Sequence, residues 1–171
     1  MKKLLFALVA ITSLMAMSCQ KDEDTTNKDN ESSIKGRWEA PRSSETPEDI
    51  AFVAIFGEKD LDLYIIAWGQ HLKGTYTWTN NKIKFNITEA KQAYTDVTYD
   101  GSGNMTSWSW EAGNLNASTL ELTSGYEWYS MTQEDLTQAK EDFGEFDFKV
   151  NGTKATSTLV GIENITFNKV N

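Results

Sequence analysis

Two side chains are equipped for nucleophilic chemistry: Cys19, the only thiol, and His71, the only imidazole. A thiolate or hydroxyl nucleophile needs an adjacent base, and His71 is the single imidazole that could serve either. No metal-ligand spacing surrounds His71, which reads as a loop or strand-edge residue. The 25 acidic residues would supply the paired carboxylates of a glycosidase, but no spacing singles out a pair. The residues therefore nominate no catalytic group, no metal site and no cofactor, and the chain reads as a non-enzyme. Its larger chemical resource is aromatic, with six tryptophans in one small domain. Trp108 and Trp110 share one face of an expected strand, Trp128 follows Tyr126 across Glu127, and Tyr76 and Trp78 alternate in another strand. Such rings line small-ligand cavities or stack on sugars and partner side chains. They also fill cores, which is the competing reading.

The surroundings of Cys19 give it a different task. Lys2 and Lys3 precede an apolar run over residues 4–16, shorter than the roughly 20 residues that span a bilayer, so residues 1–18 read as an export signal. A lone cysteine cannot form an intramolecular disulfide, and small residues, Ala16 and Ser18, stand before it. The stretch resembles the lipobox of bacterial lipoproteins. That resemblance implies acylation of Cys19, a mature chain beginning there, and stable membrane attachment through two or more acyl chains. Gln20, Lys21, Asp22, Glu23 and Asp24 then resemble the export tag that carries lipoproteins of Bacteroidota to the outer face of the outer membrane; a solvated charge run is the plainer alternative. Residues 19–33 read as the lipidated N-terminus and a disordered tether, because 20–33 contain no aliphatic or aromatic residue. A coil of that length spans roughly 20 Å.

Loss of residues 1–18 leaves 153 residues, one domain, and takes two lysines with it, moving the net charge from −9 to −11. So acidic a surface disfavours nucleic acid and anionic headgroups.

The elements that must position the aromatics are read most clearly in residues 74–87. With Asn80 and Asn81 at the centre of a tight hairpin turn, Trp78 faces Ile83, Tyr76 faces Phe85 and Gly74 faces Ile87, while threonines, lysines and Asn86 fill the other face. Segments 51–56 and 61–68 are apolar on both faces, so something covers their outer side. Further strands are expected over 93–99, 105–111, 118–123, 126–131 and 163–170. Asn151-Gly152 signals a second hairpin pairing Phe148 with Ala155 and Phe146 with Ser157, at the cost of placing Lys149 opposite Lys154. Residues 132–143 switch to helical spacing, with Thr132 as a cap, Gly144 at the C-terminus and a Met131–Leu136 staple. The helix stripe is a candidate cover for the doubly apolar strands.

Gly36-x-Trp38, Leu72-Lys73-Gly74-Thr75-Tyr76, the Leu120/Leu122 strand and the terminal Phe167-Asn168-Lys169-Val170 occur in an order similar to the lipocalin-like surface lipoproteins of Bacteroidota. The resemblance spans most of residues 34–171. It implies an all-β, antiparallel up-and-down barrel of about 8–10 strands over 34–171, with one short helix near 132–143. It further implies that Trp38 plugs the closed end against Lys169. The function it suggests is an outer-membrane, lipid-anchored, surface-exposed binding module for a small apolar or amphipathic ligand, with Tyr76, Trp78, Trp108, Trp110 and Trp128 as candidate contacts. The alternative is an interaction module that recognises a protein or glycan through exposed aromatics. Lipocalins proper carry a Thr-Asp-Tyr element and a late arginine; Thr95-Asp96 lacks that tyrosine and both arginines, Arg37 and Arg42, lie early, so no ligand carries over.

Overall fold

A computed structural model describes residues 34–159 and 162–170; the export signal, Cys19, the acidic tag and the tether lie outside them. Ten strands and one helix follow in order: β1 (Gly36–Ser43), β2 (Thr46–Phe56), β3 (Asp60–Ile65), β4 (Gln70–Thr79), β5 (Lys82–Tyr99), β6 (Met105–Ser109), β7 (Glu127–Ser130), α1 (Gln133–Phe143), β8 (Glu145–Asn151), β9 (Lys154–Leu159) and β10 (Ile162–Val170). Each strand pairs antiparallel with its neighbour in an up-and-down path. Eight of them close a barrel when β10 returns to β1, while β6 and β7 pair with the outer part of β5. Closure removes the sheet edges that an open meander would expose.

The central hairpin forms as its residues dictate. Asn80 and Asn81 adopt φ 53° and 62°, the left-handed values their short side chains tolerate, and Trp78↔Ile83, Tyr76↔Phe85 and Gly74↔Ile87 pair in register. Gly74 is obligatory, since a Cβ there would lie 2.0 Å from the Asn86 carbonyl oxygen. The second hairpin turns one residue later than expected. Gly152 and Thr153 form the turn, so Phe148 pairs with Ser157 and Val150 with Ala155. Lys149 now faces Thr156 and the like-charge clash disappears. Because the pairing slips by two residues, the same side chains still point inward.

One end of the barrel is sealed. The tight turns after β2, β4 and β8 gather there with Ile34, whose carbonyl accepts the Trp38 indole N–H at 2.6 Å. Trp38 is fully buried, meets Phe148 edge-on at 5.5 Å, and lies under Lys169 Nζ, 5.3 Å from the ring centroid. A chain of rings continues upward from Phe56 through Phe148 and Phe167 to Phe52. Aromatic edges and faces thus fill the axis that a wider barrel would leave open.

The helix does not cover the doubly apolar strands. Thr132 caps the helix, as the sequence suggests, with Asp135 completing a capping box, and α1 then lies along β5, burying Ala139 and Phe143 in the barrel core. It fills the interval along one edge of β5 between the residues that pair with β8 and those that pair with β7; the Met131 N–H donates to the Ala90 carbonyl and the Phe85 N–H to that of Gly144. The cover over β2 and β3 is instead the chain between β6 and β7. The expected strand over 118–123 is a compact loop with one isolated bridge, Leu115↔Leu122, further backbone hydrogen bonds between 114–116 and 120–123, and Leu120 at φ 61°. Leu115, Leu120, Leu122 and Trp128 cover Val53, Ile66 and Tyr64. Arg37, projecting outward from β1, donates to the Ala117 carbonyl and pairs with Glu39, which pins this loop to the barrel wall.

Candidate binding site

Opposite the sealed end the barrel opens sideways. The ladder between β1 and β10 stops at Glu39–Asn168, three pairs from its start. Pro41 follows at once, without an N–H to donate, and the β1–β2 ladder bulges on both sides of it. Beyond that point no pairing among the described residues joins the β1–β2 hairpin to β10, and Phe52, at the top of the aromatic stack, borders the gap. The cleft so formed has a volume of about 640 Å³, within the roughly 300–1,000 Å³ typical of small-molecule pockets. Pro41, Ala51, Phe52, Ile65 and Ala67 give it an apolar floor and walls. Arg42, Lys154, Asn164 and Asn168 stand around its rim, and Arg42 is itself paired with Asp49 at 2.9 Å.

Trp68 is the far wall. It belongs to a 3-10 turn, Ile66–Trp68, that ends at Gly69 with φ 59°. A side chain at Gly69 would collide with the Asn114 amide, a buried group with no hydrogen-bond partner among the described residues. The Trp68 carbonyl accepts from both the Trp110 indole N–H, at 2.8 Å, and the Gln92 amide. Beyond Trp68 lies a second, shallower hollow of about 340 Å³, bordered by Trp68, Gln70, Gln92, Tyr94, Trp108 and Trp110. Trp108 is 52% exposed, Trp110 42% and Trp68 44%. Burial, reinforced by the charge of Asp135, pushes the Tyr94 phenol upward, so it remains a hydrogen-bond donor.

The five aromatics nominated from the sequence fall in three places. Tyr76 and Trp78 belong to the sealed end: the Tyr76 hydroxyl donates to the Gly57 carbonyl and the Trp78 indole to that of Phe148, and neither lines the cleft. Trp128 lies half-buried within the outer cover, tilted against His71 at 5.9 Å. Only Trp108 and Trp110 come together, and both point outward. Trp68 joins them: the alternation over 61–68 puts it on a strand face with Tyr64 and Ile66, but β3 ends at Ile65 and the 3-10 turn carries Trp68 to the hollow instead. His71 is on β4 rather than at a strand edge, stacked on Tyr64 at 4.2 Å and hydrogen-bonded to Asp62 at 2.7 Å. No group of three or more metal-ligating side chains occurs among the described residues.

Architecture and cleft together define an eight-stranded up-and-down β-barrel with an aromatic plug, a lateral mouth and one flanking helix. No family model, curated protein or solved structure matches the chain.

Proposed function

We propose that the protein is a non-catalytic binding module that takes a small apolar or amphipathic ligand in the cleft between the β1–β2 hairpin and β10. The observation that carries this reading is the end of the β1–β10 ladder at Glu39, beside a cleft of about 640 Å³ that Phe52 and Ile65 line. A ligand there binds the folded state alone and stabilises it by mass action. N-phenyl-1-naphthylamine, a neutral apolar fluorophore, should brighten on addition of the protein and raise its melting temperature. Ala67→Trp, which fills the cleft from its wall, should weaken that binding at least about tenfold. Equal binding by the variant would reject the cleft.

A second part of the reading concerns the address. The resemblance at Cys19 to a lipobox, and of Gln20 to Asp24 to the export tag, supports an outer-membrane lipoprotein displayed outward. Metabolic labelling with an alkyne fatty acid should mark the wild type and leave Cys19→Ala unlabelled. Equal labelling would remove the anchor from the proposal.

A further inference from the structure

The cleft and the outer hollow share one residue, Trp68, which borders both. We infer that they are two halves of a single site, and that its ligand is an uncharged glycolipid-like amphiphile, with its apolar chain in the cleft and its saccharide on the aromatic shelf. The inference rests on the cleft reading above and adds the chemistry of the head group.

The shelf differs from the cleft in what it offers. Its border is four rings and two carboxamides, with no charged side chain. Indole and phenol faces attract the C–H bonds of a pyranose ring, while the Gln70 carboxamide and the Tyr94 phenol supply donors and acceptors for its hydroxyl groups. An anionic head group would find no cation on this shelf. The rings are also fixed before any ligand arrives. Trp110 and Gln92 converge on the Trp68 carbonyl, Gln92 is only 7% exposed, and Trp108 leans on Tyr94 at 5.8 Å. Keeping three indoles in water without a partner is unfavourable, and a rigid platform loses little conformational entropy on binding. The apolar floor beginning on the other side of Trp68 suits a chain and offers nothing to a free sugar.

Dodecyl maltoside below its micelle concentration, dodecyldimethylamine oxide (the same chain without a sugar) and free maltose separate the two halves. Each would be titrated by calorimetry against the folded domain. Dodecyl maltoside should bind at least about tenfold more tightly than either of the others, a margin that a few aromatic contacts provide. Trp108→Ala should erase the preference for the maltoside over the amine oxide while leaving amine oxide affinity and the melting temperature unchanged. Ala67→Trp should abolish binding of both detergents. If the two detergents bind equally well, the single-site inference is wrong and the cleft stands. If maltose binds as tightly as the maltoside while the amine oxide does not bind, both the inference and the cleft reading fail. Absence of binding by all three also overturns both.

Discussion

At the scale of single residues, Asp62 and His71 form a part-buried titratable pair on neighbouring strands, roofed by Tyr64 and Trp128. The hydrogen bond from His71 is the largest influence on Asp62 and, with the charges of His71 and Lys73, outweighs burial, holding the carboxyl below its ordinary 3.8. A carboxylate more acidic in the folded than in the unfolded chain contributes its stability in full above its unfolded value, and loses it as pH falls through the folded one. Asp62→Asn should therefore flatten the loss of stability below about pH 4. Urea midpoints collected across the acid range would show this, and an acid limb identical to wild type would mean that the pair contributes nothing. Its residues were visible in the sequence but their partnership was not, since Asp62 and His71 meet only through the β3–β4 register.

At the scale of elements, local chemistry was legible wherever one turn fixed everything downstream. Asn80-Asn81 set six cross-strand pairs, and Thr132 with Asp135 set the start of the helix. The second hairpin slipped because two turn positions compete at Asn151-Gly152-Thr153, and removing Lys149 from opposite Lys154 favours the later one. The outer cover was illegible for a different reason. Leu120 and Leu122 have the spacing of a strand, but Leu115 does not extend it, because a loop needs only to place apolar side chains over Val53 and Ile66. Arg37 is the polar clamp on that loop. Arg37→Ala should release about 1.5–3 kcal/mol of local stability, the worth of a charged hydrogen bond. A glutamate-specific protease should then cut at Glu111 and Glu121 at least about tenfold faster, with little change in the global unfolding midpoint. Unchanged cleavage would show that apolar contacts alone hold the cover.

At the scale of the whole molecule, closure joins the two ends of the described chain through only three pairs, Arg37↔Val170, Trp38↔Lys169 and Glu39↔Asn168. Pairings so distant in sequence form slowly and late. Truncation after Phe167 removes all three and takes Lys169 from Trp38, so it should abolish cooperative thermal unfolding and expose surface that binds a hydrophobic dye. A sharp transition near the wild-type temperature would show that the barrel holds without its seam. The fold class was legible from alternation and turn residues; the lateral mouth was not, because it depends on where one proline falls against a strand more than a hundred residues away.

The position of Ile34 carries a consequence for orientation. The described chain enters β1 beside Trp38, at the plugged foot of the barrel, and runs from there to the β1–β2 tip that frames the cleft. A hold on the polypeptide upstream, as the proposed lipid anchor would supply, would therefore grip the barrel by its base, as a goblet is held by its stem. The lateral mouth would then lie at the end remote from such a hold, leaving the cleft clear of the upstream chain's entry.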